Sequence, residues 1–357
     1  MHLKSKRECR KGAALATADV TIFGAGIFGL SIAWMCCKRG AKVQVIDPFG
    51  VAAGSSGGIV GALAPHVPEN WNAKKQFQFE SLIMAEPFWH EVAEASNHDP
   101  GYARLGRLQP IADEAALALA ISRKEGAKQL WQGKAVWDVI PATTDGWAPD
   151  ATHLIRDTLT ARIHPRKACH ALAAAITHRG AKLQTEGRPE GYVIWANGVA
   201  GLSALNAGRS HVVGSGVKGQ AALFDHDARN MPQIFVNGLH IVPHADGTTA
   251  AGSTSERFFE DSHTTDDLLE ALIEKVRNTL PVLRNATVIE QWAGVRPRAR
   301  SRAPILGAWP DRPDQFIANG GFKIGFGMAP KVAETMADLV LEGKDTIPKG
   351  FEVSASL

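Results

Sequence analysis

The sequence predicts an α/β fold in which a parallel, dinucleotide-binding sheet is combined with a second, antiparallel sheet. Residues 20–47 run as a strand, a glycine-rich turn, a helix and another strand, which is the order of a βαβ unit. Residues 211–254 contain short alternating strands with turn residues between them, which is typical of an antiparallel sheet. From residue 315 the chain returns to a strand, a glycine-rich turn and a helix.

The glycine-rich turn near the start of the chain carries three glycines, each with a separate role. Gly24 permits the tight turn, Gly26 lets backbone N–H groups approach a pyrophosphate, and Gly29 lets the helix pack closely on the strand. The phosphates would then lie at the positive end of the helix. The pattern therefore predicts a dinucleotide site.

Asp47 ends the second strand, close to the position where a carboxylate accepts hydrogen bonds from a ribose diol. A carboxylate at this position disfavours a 2′-phosphate, so the sequence favours FAD or NAD over NADP. The alternative is a βαβ unit that holds no nucleotide and whose glycines occur by chance.

Hydrophobic periodicity predicts the remaining elements in chain order. The predicted helices are 30–39, 76–96, 112–125, 163–179, 265–280 and 331–341. The predicted strands are 20–23, 106–111, 192–196 and 315–318, besides those within 211–254. A run of small residues, Gly54-Ser55-Ser56-Gly57-Gly58, forms a loop that could lie against the remainder of a long cofactor.

The composition is that of a globular α/β protein with enough apolar residues for two domains. The chain has 357 residues, of which 45% are hydrophobic. Lysine and arginine number 39 against 36 acidic residues, and these charges are spread along the chain. This balance makes a nucleic acid or an anionic membrane an unexpected partner, whereas a small anionic ligand is compatible with it.

The apolar stretch from residue 13 to residue 37 does not predict a membrane-spanning helix, because Asp19 and the glycine triplet interrupt it. Residues 1–16 are basic at their start and are expected to form a flexible tail. We therefore expect no membrane span.

The cysteines give no sign of a metal site or of a disulfide framework. Cys9, Cys36, Cys37 and Cys169 lack the spacing of metal ligands. We predict reduced cysteines, no bound metal and a cytoplasmic protein.

These segments, in this order, resemble the D-amino-acid oxidase superfamily of FAD enzymes, and most closely its glycine oxidase and sarcosine oxidase branch. The resemblance covers nearly the whole chain. It is carried by GAGIFGLSIAW at 24–34, GSSGGIVGALAP at 54–65, VIWANG at 193–198, VKGQ at 217–220, HIVPHADGTTAAGST at 240–254, WAGVRPRARSRAPILG at 292–307 and NGGFKIGFGMAP at 319–330. The last three motifs together are more specific than the first, which many nucleotide enzymes share.

The resemblance implies a Rossmann-type FAD-binding domain interleaved with an α+β substrate domain built on the antiparallel sheet. The FAD-binding domain would comprise 17–80, 151–212 and 301–357, and the substrate domain 81–150 and 213–300. The FAD-binding residues that it implies are Gly24, Gly26, Ile27, Phe28, Gly29, Asp47, Ser55, Ser56, Gly58, Gly198, Gly321, Phe322, Lys323, Ile324 and Gly325.

The FAD is expected to be non-covalently bound. Sarcosine oxidases attach their flavin to a cysteine, but no cysteine lies near the matching positions, Arg300 and Ser301. The stretch between Gln184 and Tyr192 is also much shorter than the corresponding hairpin of the family. Contacts to the adenine end of the cofactor are therefore not carried over.

Arg296 matches the arginine with which the family binds the substrate carboxylate. A guanidinium suits this role, because it is planar, stays charged and can hold a carboxylate through two hydrogen bonds. Without the motif, Arg296 reads equally well as a surface arginine beside Arg298, Arg300 and Arg302.

Two positions depart from the glycine oxidase pattern. Lys323 stands where glycine oxidases carry a second active-site arginine, and His240 where a tyrosine lines their pocket. Both are expected in the substrate site, although His240 is equally compatible with an ordinary strand residue. The departure at Lys323 weakens the expectation that glycine itself is the substrate.

The resemblance implies oxidation of the C–N bond of a small amino acid, such as glycine, sarcosine or a D-amino acid, to an imine. Oxygen or another electron acceptor would complete the cycle, and with glycine the imine would serve the thiazole half of thiamine. Two alternatives stay open: action on a carboxymethyl-modified tRNA base, and flavin binding without turnover. The sequence does not fix the oligomeric state, and a homo-oligomer is compatible with it.

Overall fold

The computed structural model describes residues 17–142 and 146–357. The predicted tail and Cys9 lie outside the described residues. The strands are β1 Val20–Phe23, β2 Val43–Ile46, β3 Ala62–Leu63, β4 Arg107–Pro110, β5 Trp137–Pro141, β6 His153–Asp157, β7 Ala161–Arg162, β8 Lys182–Gln184, β9 Tyr192–Trp195, β10 Gly214–Phe224, β11 Gln233–Val236, β12 Leu239–Pro243, β13 Thr249–Gly252, β14 Val288–Ala299, β15 Ile305–Ala308 and β16 Gln315–Asn319. The α-helices are α1 Ile27–Lys38, α2 Ala73–Ser96, α3 Glu114–Leu130, α4 Pro165–His178, α5 Gly198–Asn206, α6 Asp267–Thr279 and α7 Gly325–Ala337.

A six-stranded sheet, in the order β15-β16-β9-β1-β2-β8, carries the glycine-rich turn near its centre. Its strands from β16 to β8 are parallel, and β15 pairs with β16 in the antiparallel direction. β1 lies between β2 and β9 and is almost fully buried, which explains its apolar sequence. The predicted parallel sheet is confirmed, with β1 at the predicted residues.

An eight-stranded sheet, in the order β14-β10-β13-β12-β11-β4-β6-β5, forms the second layer. Its neighbouring strands are antiparallel, except that β4 and β11 are parallel. The antiparallel sheet predicted for 211–254 is therefore confirmed, and it extends further than predicted. β14 lies at its edge, where Pro297 is tolerated because an edge strand leaves some N–H positions unpaired.

The last helix begins earlier than predicted, at Gly325 instead of residue 331. Glycines and Pro330 have low helix propensity, so the sequence pattern conceals the first turns. The first turns of α7 pack closely on α2, since a Cβ at Gly327 would lie 3.5 Å from the side chain of Leu82. This tertiary packing outweighs the low helix propensity. A π-helical turn, Asp338–Glu342, follows α7.

Two principal cores hold the layers together. The larger core packs α1, α2, α4 and α7 against the six-stranded sheet, and it includes the fully buried Trp34, Trp89 and Trp131. The second core packs α6 against the eight-stranded sheet through Leu269, Leu272, Ile273 and Val276. The helix predicted at 265–280 is thus a core helix, as its periodicity indicates.

Residues on three strands of the eight-stranded sheet alternate between this second core and the opposite face. On β4, Leu108 belongs to the core, while its neighbours Arg107 and Gln109 face a large cavity. On β12, Leu239 and Ile241 belong to the core and His240 lines the cavity. The same period of two places Phe235 of β11 on the cavity face.

The domain division stays a prediction, and one strand does not follow it. β6 pairs with β4 and β5 in the eight-stranded sheet, although 151–212 is assigned to the FAD-binding part. Strand pairing therefore places β6 in the eight-stranded sheet, although its position along the chain falls in a segment assigned to the FAD-binding domain.

The described cysteines, Cys36, Cys37 and Cys169, are buried and free. Burial raises the pKa of Cys36 and of Cys169 to about 12, so both stay protonated thiols at neutral pH. Within the ranges described, no helix is long and apolar enough to cross a membrane.

Candidate active site

A cavity of about 1860 Å³ lies between the two sheets. The glycine-rich turn after β1, the end of β2 and the start of α7 contribute to one part of its wall. The cavity face of the eight-stranded sheet contributes the opposite part. The carboxyl ends of parallel strands therefore open into this cavity, which is where open α/β sheets bind their ligands.

Two glycines of the turn, Gly24 and Gly29, occupy positions that admit no larger residue. Gly24 has a φ of +111°, and a Cβ there would fall 2.5 Å from the carbonyl oxygen of Ala196. A Cβ at Gly29 would fall 1.9 Å from the carbonyl oxygen of Gly24. Gly24 and Gly26 line the cavity, whereas Gly29 does not. Gly29 therefore acts in the close packing of helix on turn, which is the role that the motif assigns to it.

The loop of small residues forms a second wall over the start of α1. The backbone N–H of Ile27, at the first residue of α1, donates a hydrogen bond of 3.0 Å to Oγ of Ser56. Ser55 and Ser56 belong to a short 3-10 turn, and Gly58 follows it; all three line the cavity. This loop therefore lies against the positive end of α1, as expected for a loop that covers a phosphate-binding turn.

Asp47 lies at the carboxyl end of β2 and lines the cavity. Its Oδ2 accepts a hydrogen bond of 2.8 Å from the N–H of Ala25, and its Oδ1 accepts one of 3.0 Å from the N–H of Phe49. These bonds fix the carboxylate beside the glycine turn. A carboxylate held here is placed to accept hydrogen bonds from a ribose diol.

The start of α7 forms the far end of the site. Gly321, Phe322, Lys323, Ile324 and Gly325 all line the cavity. A Cβ at Gly321 would fall 2.9 Å from the ring of Phe28, so this turn packs directly on α1. The start of α7, like that of α1, has no side-chain cap and directs its positive end toward the cavity wall.

Gly198 also lines the cavity, at the start of α5. Its φ is +57°, and its carbonyl oxygen accepts a hydrogen bond of 2.8 Å from Nδ2 of Asn319. β9 and β16 are thus tied together at their cavity ends.

These observations test whether the residues fit an FAD. Two helix starts whose N-cap residues supply no side-chain cap, a glycine cradle that a Cβ would fill and a fixed carboxylate suit the phosphates and a ribose of a dinucleotide. None of the described cysteines lines the cavity, so the sequence-based expectation of a non-covalent cofactor stays compatible with the site. The residues therefore fit the cofactor.

Arg296 lies on β14 with its guanidinium in the cavity wall, and the residue is 8% exposed. Nη1 donates to Oγ of Ser253 at 2.5 Å, and Nη2 donates to the carbonyl oxygens of Thr254 at 2.7 Å and Lys218 at 3.2 Å. Nε is buried and has no hydrogen-bond partner among the described residues. Burial lowers the pKa of Arg296 to about 10, so the group is charged at neutral pH.

This arrangement changes which hydrogen bonds Arg296 can offer to a carboxylate. Both hydrogens of Nη2 are directed to backbone carbonyls, so the donors left for a ligand are Nε and the second hydrogen of Nη1. Arg296 is also not the surface arginine of the alternative interpretation, because that interpretation requires an exposed side chain.

The VKGQ motif at 217–220 explains how Arg296 is held. Lys218 supplies a carbonyl oxygen, and Gly219 leaves room for the guanidinium, since a Cβ there would lie 2.1 Å from Nη2. The side chain of Gln220 donates to Oδ1 of Asp266 at 2.7 Å and accepts from the N–H of Asp266 at 2.9 Å. The motif therefore acts as the support of Arg296.

Lys323 and His240 both line the cavity. Lys323 is exposed, and part of that exposed surface faces the cavity; burial of the rest, assisted by the charge of Arg296, lowers its pKa to about 8. Burial, with the charges of Arg107 and Lys323, lowers the pKa of His240 to about 3. His240 is therefore a neutral ring at neutral pH, and its Nδ1 has no hydrogen-bond partner among the described residues.

Phe322 joins the cationic groups at this end of the site. Its φ is +45°, and its ring lies 5.4 Å from the guanidinium carbon of Arg296, 5.5 Å from that of Arg298 and 5.9 Å from Nζ of Lys323. Cations over an aromatic face are stabilised by the ring quadrupole. Phe322 therefore helps to hold several positive groups close together.

Sequence reasoning missed cavity residues on the substrate side of the site. Arg107, Gln109, Phe235 and Ser253 all line the cavity. Arg107 gives no sequence signal, because its partner Asp157 lies 50 positions away along the chain. Ser253 lies within the HIVPHADGTTAAGST motif, which marks its segment but not its contact with Arg296.

The roles of the predicted site residues remain predictions, although the structure brings them together. All of them except Gly29 line the one cavity. Residues from the beginning, middle and end of the sequence thus form a single site.

Comparisons with known proteins agree with this geometry. The DAO family of FAD dependent oxidoreductases matches residues 19–339. The glycine oxidase of Pseudomonas putida is 25% identical over 358 residues, covering 90% of this chain and 94% of that protein. The bifunctional protein ThiO/ThiG of Nostoc sp. is 25% identical over 367 residues, covering 95% of this chain and 55% of that longer protein.

Among solved structures, the glycine oxidase from Geobacillus kaustophilus has a similar fold. Its TM-score is 0.80 at 21% sequence identity, and the match covers 95% of this chain and 98% of that chain. The family match extends over most of the chain and includes both sheets. The chain belongs to the DAO family of FAD-dependent oxidoreductases.

Proposed function

We propose that the protein oxidises the C–N bond of a small amino acid, taking glycine, sarcosine or a D-amino acid to an imine. The observation that carries this proposal is Arg296, a buried guanidinium in the cavity wall whose Nε has no partner among the described residues. A buried donor without a partner costs free energy, and a substrate carboxylate would remove that cost. The similarity to glycine oxidases supports the same substrate class.

In this proposal the residues of the chain bind and orient the substrate. Arg296 holds the carboxylate through Nε, and Lys323 adds a second positive charge. FAD, when bound, would supply the oxidising power by taking up a hydride, two electrons and one proton, from the substrate carbon. The imine then reacts with water to give an oxo acid and an amine or ammonia.

No side chain is assigned as a base. The pKa of His240, about 3, makes the ring neutral at neutral pH and a weak base, and a substrate amine that binds in its neutral form requires no base. His240 then serves as a polar wall that can donate or accept a hydrogen bond.

The wider setting belongs to the same proposal. Oxygen or another acceptor reoxidises the cofactor, and the cytoplasm is the compartment that buried, free cysteines favour. With glycine as substrate, the imine would feed the formation of a thiazole ring, a role that similarity to a ThiO/ThiG protein supports.

The test is the visible spectrum of the purified protein without oxygen, before and after adding glycine, sarcosine and D-alanine in turn. Flavin bands that bleach with one of these amines would support the proposal and identify the preferred class. Bands that persist with all three, while a carboxymethyl-modified tRNA bleaches them, would replace it with the tRNA alternative. No bleaching with any amine would leave flavin binding without turnover.

A further inference from the structure

The cavity face of β4 carries a second buried arginine that the proposed reaction does not use. Arg107 is 4% exposed and lines the cavity. Its Nε donates to Oδ2 of Asp157 at 2.8 Å, and the two side chains are 5% and 0% exposed. Its terminal nitrogens form no hydrogen bond among the described residues. One edge of the guanidinium is therefore fixed, and the other is available to a ligand.

Gln109 lies two residues further along β4, on the same face of the sheet as Arg107. Its Nε2 is buried and has no hydrogen-bond partner among the described residues. An amide nitrogen can only donate, so this group requires an acceptor. Arg107 and Gln109 together present several unused donors to the same part of the cavity.

Apart from Asp157, which pairs with Nε of Arg107, the neighbouring residues supply no negative charge to this part of the cavity. Phe235 lies with its ring 5.5 Å from the guanidinium carbon of Arg107 and 4.6 Å from the ring of His240. Of the described carboxylates that line the cavity, Asp47 lies at the glycine turn, and Glu290 forms an ion pair of 2.6 Å with Arg166. No carboxylate of the cavity wall is therefore directed to Arg107 and Gln109.

One carboxylate cannot satisfy the unused donors of both Arg107 and Arg296. Arg107 lies on β4 and Arg296 on β14, which are five strand intervals apart, or about 24 Å along a flat sheet. Twist shortens this path, and two long arginine side chains span part of it. The remaining gap requires an extended molecule with an acceptor-rich group at each end.

We propose that the substrate is an extended amino acid with a second carboxylate at the far end of its side chain, which Arg107 and Gln109 bind while Arg296 binds the first. This inference rests on the proposed function, because it defines the substrate class of that same site. His240 and Phe235 would flank the chain that joins the two acids.

Binding to the flavin-loaded protein tests the inference without turnover. Calorimetric titration would compare adipate and pimelate with hexanoate, which has one carboxylate, and with succinate, which is too short. We expect adipate or pimelate to bind at least about tenfold more tightly than hexanoate, since each acid forms charge-assisted hydrogen bonds. Equal affinity for adipate, pimelate and hexanoate would overturn the inference.

Variants test whether Arg107 and Gln109 cause the tighter binding of dicarboxylates. Arg107→Met combined with Asp157→Asn removes both buried charges, so neither is left unpaired. We expect the preference for two acids to disappear in this variant and to weaken in Gln109→Leu, which keeps the ion pair intact. Arg123→Met with Glu69→Gln removes a more exposed arginine–carboxylate pair away from the cavity and should keep the preference. A preference that survives in both cavity variants would contradict the assignment.

Reduction of the flavin separates this inference from the proposed function. D-2-aminoadipate and D-norleucine share a six-carbon chain and differ in the terminal carboxylate, so we expect D-2-aminoadipate to reduce the flavin at least tenfold faster at low concentration. Equal rates for the two would overturn the inference and leave the proposed function standing. Tight adipate binding with no reduction by any amine would support the anion site and reject the proposed function.

Discussion

The guanidinium of Arg296 lies directly against Gly219, and a Cβ at that glycine would fall 2.1 Å from Nη2. We therefore predict that Gly219→Ala displaces the guanidinium and weakens binding of carboxylates, while FAD stays bound. Calorimetric titration with hexanoate measures the change, and wild-type affinity in Gly219→Ala would refute the prediction.

Replacement of Arg296 tests its assigned role directly. Arg296→Ala should lose affinity for carboxylates, by about 2–5 kcal/mol if the arginine binds one as a buried charge pair, and should retain FAD. Arg298→Ala is a matched control, because Arg298 contacts the same Phe322 ring at 5.5 Å but does not line the cavity. The measurements are flavin content and carboxylate affinity. Unchanged affinity in Arg296→Ala would remove Arg296 from the proposed site.

Cofactor binding depends on the glycine turn, and its glycines should differ in how well they tolerate replacement by alanine. Gly29→Ala places a Cβ 1.9 Å from a backbone carbonyl oxygen, so we expect purified protein with little or no flavin. Gly26→Ala places its Cβ 3.0 Å from Oγ of Ser56, a side chain that can rotate, so this variant should keep more of the wild-type thermal stability; it should still lose flavin, because the Cβ hinders the approach of the pyrophosphate. Thermal unfolding and the flavin-to-protein absorbance ratio check these expectations, and equal stability of the two variants would show that the order is wrong.

Carboxylate binding should depend on pH through Lys323, whose pKa burial lowers to about 8. Below that pH the ammonium is charged and attracts an anion; above it the amine is neutral. We therefore expect the affinity for hexanoate to fall as pH rises from 7 to 9, and the slope to flatten in Lys323→Met. A carboxylate ligand stays ionised throughout this range, so it contributes no slope of its own. A flat profile in the wild type would contradict the prediction.

The sequence predicts the βαβ unit well because its signals are local. A buried run, a glycine triplet and a carboxylate lie within 28 residues of one another, and β1 forms at the predicted residues. The start of α7 is not predicted, because Gly325, Gly327 and Pro330 conceal a helix that tertiary packing stabilises.

The substrate side of the site is harder to predict because its contacts join distant parts of the chain. Arg296 is identified through its motif, but its partners come from β10 and from the residues after β13. Arg107 depends on Asp157, and neither belongs to a recognisable pattern. Pairing between strands, which determines these neighbours, is not encoded in any short segment of the sequence.

Side chains alternate along β4, β11 and β12 between the core, where they stabilise the fold, and the cavity, where they can contact a ligand. Leu108, Ile234 and Ile241 face the core, while four residues adjacent to them in sequence, Arg107, Gln109, Phe235 and His240, face the cavity. Cavity residues can therefore be exchanged one at a time with the core residues unchanged, and new substrate preferences can evolve on a stable scaffold. Insertion of a single residue in one of these strands would have the opposite effect, because it would turn core side chains into the cavity and polar ones into the core.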